Sequence, residues 1–350
     1  MELSELLKKA YDLGGSDIFI LPGAPVTCKV KGDMVALSDD IAKPDGTKLL
    51  VQQAYELGGR DMNKLYQEGD DDFSFALAGL SRFRCNAYIQ RGTVAATCRM
   101  VAFGLPDPRE LGVPDLVMEL TKNLNGMILV TGPAGSGKST TLACMIDRIN
   151  SERTGHIVTI EDPIEYIHRH KKSLVSQRDV PNDAPTFARA LRAALREAPD
   201  VILLGEMRDI ESIKIAITAA ETGHLLMSSL HTTGASKTVD RILDTFPAEQ
   251  QAQVRMQLSM VLRAVVSQRL VPRIGGGQVA VFEVMTVNPA VQNLIRDGRT
   301  HQIDNAIFGG AGQGMISMDN ELQRLYRAGV ISRDVAITYA VSPETLSKRL

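Results

Sequence analysis

Two sets of residues stand at spacings that suit phosphate chemistry. The first is Gly132, Pro133, Ala134, Gly135, Ser136, Gly137, Lys138 and Ser139, which satisfies G-x-x-x-x-G-K-[ST] and is followed by Thr140. A loop that wraps phosphates with its backbone N–H groups must lack Cβ atoms where the chain comes closest, and glycine meets that demand. A helix starting near Lys138 adds the positive end of its dipole. Lys138 brings a charge to the β- and γ-phosphates, and the Ser139 hydroxyl is a ligand for Mg²⁺. The pattern therefore points to Mg·ATP, with ATP and Mg²⁺ as cofactors. Lys138 is expected to be accessible to solvent without ATP, so its loss should cost the fold little.

The second set is acidic. HIVTI at 156–160 runs into Glu161 and Asp162, and VILLG at 201–205 runs into Glu206. In open α/β sheets, ligands sit beyond the carboxyl ends of the strands. These acids can therefore converge on the γ-phosphate and its metal. Glu206 is assigned to orienting and polarising the attacking water. Glu161 and Asp162 are candidates for holding waters around the metal or for positioning the attacking one. The competing reading is that strand-end acids merely cap the helices that follow.

The surrounding elements suit these roles. MILVT at 127–131 reads as a strand and STTLACMIDRIN at 139–150 as a helix, with Leu142, Met145, Ile146 and Ile149 at helical spacing. From residue 126 onward, short apolar runs alternate with helical stretches, the pattern of a parallel sheet covered on both faces. ESIKIAITAAETG ends a helix at Gly223, and Asn288-Pro289 opens another that Gly298 closes. AEQQAQVRMQLSMVLRAVVSQRL at 248–270 reads as one long amphipathic helix. Residues 1–100 mix a first helix with short strands such as SDIFILPG, DDFSFAL and SRFRCNAYI. The proline- and glycine-rich VAFGLPDPRELGVPD marks a linker. The expected organisation is thus an N-terminal domain at 1–100, a linker at 101–115 and an ATPase domain at 116–350, mostly helical from about 246.

Bulk properties narrow the class. The 350 residues suit two domains, with 44% hydrophobic and 23% charged residues, as in ordinary globular chains. A formal charge of −2 does not favour direct nucleic-acid binding. No apolar run reaches the length of a membrane span, and MELSELLKKAYDLGG is an amphipathic helix, not a signal peptide. A cytoplasmic chain without membrane insertion is expected. Cys28, Cys85, Cys98 and Cys144 contain no C-x-x-C pair, so they read as buried thiols, not a zinc site or disulfide framework.

Four blocks stand in order: GPAGSGKST, TIEDPIEY, VILLGEMRD and AAETGHLLMSSLHTTGA. They resemble the Walker A, Asp, Walker B and His boxes of the secretion-type ATPases. SRFRCNAYIQRGTVAATCRM, RILDTFPAEQQAQVR and NLIRDGRTHQI are similar to segments of the type IV pilus retraction (PilT) branch. The resemblance covers nearly the whole chain. It implies a RecA-like P-loop domain with a parallel sheet, preceded by a small α+β PAS-like domain and followed by a helical C-terminal region. It implies a homo-hexameric ring with ATP between the two domains, driving pilus retraction and twitching motility. It also implies docking at the inner face of the cytoplasmic membrane on an inner-membrane platform protein, with an accessory retraction paralogue as a further partner.

Residue by residue, the resemblance matches Glu206 to the Walker B glutamate and Glu161 and Asp162 to the Asp box. His224 and His231 match positions that couple nucleotide state to movement, and Arg84 and Arg99 lie in the block that delivers arginines to the phosphates. His231 ends the strand HLLMSSLH, so it should face the same crevice as the acids. NLIRDG is expected to form a packed helix with a charged outer face, removable without loss of the ATPase fold. Two features depart from the family: Ala134 stands where threonine is common, and Pro181 and Pro185 suggest an altered loop over 178–186. The alternatives are a pilus extension or type II secretion ATPase, an accessory retraction paralogue, and a scaffold that binds ATP without hydrolysing it.

Overall fold

The computed structural model describes residues 2–101 and 104–350. Ala102 and Phe103, within the expected linker, lie outside the described residues. The chain forms two compact units: one runs to Gly104 and includes Glu165–Ile167, and the other holds Leu105–Ile164 and His168–Leu350. The described residues form one sheet of six strands and one of seven.

The first unit contains α1 (Leu3–Asp12), β1 (Asp17–Ile20), β2 (Pro25–Val30), β3 (Asp33–Ile41), α2 (Pro44–Leu57), α3 (Asn63–Glu68), β4 (Asp70–Leu77), β5 (Ser81–Gln90) and β6 (Thr93–Met100). Its sheet is antiparallel in the order β3-β2-β1-β6-β5-β4. Strand period decides its two faces. Phe83, Cys85 and Ala87 on β5 are buried with Leu3, Leu7, Val51 and Tyr55 of the helices. The intervening residues, Arg84 among them, point to the other face. All four cysteines are buried and free.

The second unit contains α4 (Asp115–Glu119), β7 (Gly126–Thr131), α5 (Lys138–Glu152), β8 (His156–Glu161), β9 (Leu174–Asp179), α6 (Phe187–Ala194), β10 (Val201–Leu204), α7 (Ile210–Glu221) and β11 (Leu225–Leu230). It continues through α8 (Ala235–Asp244), α9 (Ala248–Val261), β12 (Leu262–Pro272), β13 (Gln278–Thr286), α10 (Pro289–Arg296), α11 (Ile303–Gly309), α12 (Met318–Arg327), α13 (Arg333–Tyr339) and α14 (Pro343–Ser347). The sheet order is β13-β12-β7-β11-β10-β8-β9, parallel except for the β12–β13 hairpin. β7 sends Met127 and Leu129 into one core and Ile128 and Val130 into the other. Burying each of these side chains is worth about 1.5–3 kcal/mol. The continuous apolar reading of these strands follows from having both faces covered.

Helix ends follow local chemistry. The Asp209 side chain accepts from Ser212 N at the start of α7, and Gly223 lies just past its end with φ +101°. Asn288 caps α10 by accepting from Val291 N, with Pro289 in the first turn. Pro181 and Pro185 sit in the turn between β9 and α6, whose Thr186 accepts from Arg189 N.

Three expectations are corrected. The long helix over 248–270 stops at Val261, and Leu262–Pro272 is strand β12. Leu262 turns extended (φ −66°, ψ 129°), and Ala264–Ser267 pair with Ile128–Thr131 of β7. Here Val265 and Val266 are fully buried, which a pleated core strand accommodates well. The proline-rich residues from 105 onward pack with the second unit, because Leu105, Leu111 and Val113 join its core. The segment beginning at Asn293 is not dispensable to the fold, since Ile295, Ile303, Ile307 and Met315 lie in the main core.

Candidate nucleotide site

β7 delivers the phosphate loop and α5 leaves it. Gly132 N donates to Leu230 O at 3.2 Å, tying the loop's start to β11. Gly132, Gly135 and Gly137 have φ of +148°, +73° and +87°, a region that excludes most side chains. Packing adds a second constraint. A Cβ on Gly132 would lie 2.1 Å from Gln268 O, and one on Gly137 would lie 2.9 Å from Gln268 Nε2. The Gln268 side chain accepts from Thr141 Oγ1 at 2.7 Å, in the first turn of α5.

Lys138 is buried, with 7% of its surface exposed. Its Nζ donates to Gly132 O at 3.0 Å and Pro133 O at 2.9 Å. The expectation of an accessible lysine is thereby corrected: the loop folds over the ammonium group and supplies it with carbonyls. The Ser136 hydroxyl is buried without a hydrogen-bond partner among the described residues. Left-handed glycines, an orphaned hydroxyl and a held ammonium form a donor set that fits a polyphosphate.

Glu206, two residues beyond β10, lies beside this loop. Its backbone approach is held by Gly205 N on Ile160 O at 2.8 Å and by Ser229 Oγ on Gly205 O at 2.6 Å. The Glu206 side chain is 12% exposed, ion-paired with Arg208, and 3.4 Å from His231 Nε2. His231 Nδ1 lies 3.5 Å from Lys138 Nζ. An ammonium only donates, so Nδ1 accepts and Nε2 carries the proton toward Glu206. Lys138, His231, Glu206 and Arg208 thus form one chain at the carboxyl end of the sheet. A cavity of about 300 Å³ opens there, lined by Glu206, Arg208, Ser229, His231, Thr232 and Arg241 among others.

The other predicted residues fall into three places. Glu161 ends β8, next to β10, and its Oε1 accepts from Thr159 Oγ1 at 2.7 Å and Gln177 Nε2 at 3.4 Å. Asp162 is exposed in the following turn. Both acids share the sheet end with Glu206. His224 does not join the cluster: it precedes β11, and its Nδ1 approaches Ala219 O at 3.0 Å beside the end of α7. An extended strand rises about 3.3 Å per residue, so His224 and His231 lie about 20 Å apart. Arg84 and Arg99 face each other across β5 and β6 in the first unit, both exposed. Arg99 Nε donates to Asp17 Oδ1 at 2.7 Å. Burial pushes the Asp17 carboxyl up, and hydrogen bonds from Arg99 and Ser16 more than reverse it, leaving it below its usual range.

Motif reading missed Gln268, Thr141 and Arg208. Arg208 lies within the quoted VILLGEMRD, yet nothing in its spacing marks it as a partner of Glu206. Gln268 lies in the stretch read as helix, where the paired valines before it were the available sign of a strand.

Comparison with known proteins finds relatives along the whole chain. Residues 113–277 match the Type II/IV secretion system protein family. The chain is 44% identical over 345 residues to the type IV pilus retractation ATPase PilT of Pseudomonas aeruginosa, covering 98% of this chain and 99% of that protein. It is 38% identical over 347 residues to the type IV pilus ATPase PilU of the same organism, covering 99% and 90%. A crystal structure of the pilus retraction motor PilT with bound ADP superposes with a TM-score of 0.90 at 45% identity, covering 100% of both chains. With identity of this order along its whole length and a matching fold, the chain belongs to the PilT family of type IV pilus retraction ATPases, within the secretion-type ATPases.

Proposed function

We propose that this chain is the subunit of a hexameric motor that hydrolyses Mg·ATP to withdraw pilin from a type IV pilus. The observation that carries the hydrolytic part is the contiguous chain of Lys138, His231 and Glu206 beside a phosphate-shaped loop. Lys138 exchanges the carbonyls of Gly132 and Pro133 for phosphate oxygens, and Ser136 gains its missing partner. Ser139 would hold Mg²⁺, which would supply charge neutralisation to the phosphates when bound. Glu206 orients the attacking water and accepts its proton once Arg208 moves off the carboxylate. His231 holds the second carboxylate oxygen and reports the state of Lys138 to it.

Arg84 and Arg99 complete the site when the N-terminal unit closes on the nucleotide, a contribution on the order of 10³–10⁵ in rate for arginines of this kind. No helix among the described residues is long and apolar enough to cross a membrane. In the proposed motor, work on the pilus passes through an inner-membrane platform protein, with the ring on its cytoplasmic side. Greater identity to PilT, named a retraction ATPase, than to PilU, named a pilus ATPase, supports a retraction motor.

Phosphate release measured against protein concentration tests the reading. A steep rise in turnover per subunit is expected as rings assemble and complete the sites. Turnover per subunit that is independent of concentration refutes completion by assembly. Binding of Mg·ATP without any release of phosphate refutes the motor and leaves a scaffold.

A further inference from the structure

Glu283 is a buried acid that the phosphate chemistry above does not use. It lies on β13, with 5% of its surface exposed, at the end of a polar row running across the sheet. Thr131, the last residue of β7, is in register with Ser267 of β12, and Ser267 is in register with Glu283. Thr131 and Ser267 share a hydrogen bond of 2.7 Å, and Ser267 Oγ accepts from Gly234 N at 3.0 Å. Next in the chain, Ala235 N donates to Glu283 Oε1 at 3.0 Å. Ala235 is the first residue of α8, and the loop before it begins at His231. Glu283 also lines one cavity with Ser317, Met318 and Asp319 at the start of α12, where the nearby Met318 N–H favours its charged form. The neighbouring Val284 exchanges hydrogen bonds of 2.8 and 2.9 Å with Ile316, which seats the approach to α12 against β13. One carboxyl group thus lies between the starts of two helices from different parts of the unit.

We propose that Glu283 is a positioning residue: by holding the first N–H of α8 while facing the first N–H of α12, it fixes the loop that carries His231 and makes that loop's position depend on the C-terminal helices α12–α14. The role rests on the hydrolytic reading of Glu206 and His231. A carboxylate offers acceptors to both N–H groups. A protonated carboxyl, or a glutamine, can turn a donor toward one of them and release that arm. Burial pushes the Glu283 carboxyl up to about 7; the Ala235 N–H opposes this, Asp304 of α11 adds to it, and the Met318 N–H and Arg269 of β12 oppose it. Asp319 and Arg349 line the same cavity of about 270 Å³. The two forms of the clamp are therefore both within reach near neutral pH.

The test uses the full chain and Glu283→Gln, which should fold because burial already favours a neutral group there. ATP turnover is measured from pH 6 to 8.5, with amide hydrogen exchange over 231–238 and 316–322. At pH 8 the variant should turn over about tenfold more slowly with KM within about twofold of wild type, the signature of lost positioning with binding intact. Exchange at both segments should quicken by about tenfold. Wild-type turnover should approach that of the variant as pH falls below 7, while the variant lacks this step. Turnover at pH 8 equal to wild type, faster exchange in one segment alone, or a fall in kcat matched by an equal loss of binding would each overturn the proposal. Should wild type release no phosphate, the hydrolytic reading fails, and the exchange result alone still decides whether Glu283 joins the two helices.

Discussion

Gln268→Ala removes the side chain that supports the phosphate loop from β12. Gln268 is 4% exposed, and its partner Thr141 is 1% exposed. Alanine leaves the Thr141 hydroxyl without its acceptor, which costs about 1–3 kcal/mol. Space vacated beside Gly137 adds a cavity contribution, so the total loss of stability should be about 2–4 kcal/mol. The strand itself survives, because the Gln268 carbonyl still packs against Gly132. Affinity for Mg·ADP should fall about tenfold, or 1.4 kcal/mol, as Gly137 and the first turn of α5 lose their support. The double variant Gln268→Leu with Thr141→Val removes both polar partners while roughly keeping volume, an exchange that is close to neutral. A double-mutant cycle built on Gln268→Leu should therefore return a coupling of about 1 kcal/mol or more. Urea unfolding read by a probe in the second unit, with Mg·ADP titration, gives both numbers; the two units need not unfold together, so the probe's location matters. Wild-type nucleotide affinity in Gln268→Ala, or strictly additive losses in the cycle, would refute the reasoning.

Four further outcomes are expected. Lys138→Ala should abolish phosphate release and, because its Nζ is bonded to two loop carbonyls, also cost about 1–3 kcal/mol in a melt; wild-type turnover would remove the phosphate assignment. Glu206→Gln should still bind Mg·ATP but hydrolyse it about 10²–10³-fold more slowly, whereas equal losses of binding and turnover would mark a structural acid. Truncation before Asn293 should collapse the melt by stripping Ile295, Ile303, Ile307 and Met315 from the core, while exposed Arg296→Ala should keep ATPase activity and lose retraction; a normal melt in the truncated chain would contradict the packing described here. Arg84→Ala and Arg99→Ala should each lower turnover more than nucleotide affinity, the outcome that the proposed closure predicts. A fragment starting at Leu105, which retains the packed residues that a start at 116 would lose, should bind nucleotide yet scarcely hydrolyse it, and near-normal turnover in it would make both arginines ordinary surface residues.

The phosphate loop, α5, the Gly223 end of α7 and the Asn288 cap of α10 were readable because each depends on near neighbours. Glycines at the loop's tight positions, Gly223 just past α7 and Asn288 bonding to Val291 are all short-range requirements. The same holds for the buried parallel strands, whose apolar runs end in Glu161, Glu206 and His231 whatever their neighbours. Where locality fails, so does the reading. Residues 262–270 carry spacing that a helix tolerates, and pairing with β7, far away in sequence, turns them into a strand. His224 and His231 sit in one motif, yet the extended chain between them sets them at opposite ends of β11. Thr131, Ser267 and Glu283 become neighbours through the register of three strands, and Gln268 meets Gly132, Gly137 and Thr141 through that same pairing. Lys138 is buried because the loop closes over it, and the segment after Asn293 is core because α9 and β13 offer it an apolar surface. Period and capping act over a few residues and are written in the chain. Register and burial arise from contacts between distant segments, and only the folded sheet brings those segments together.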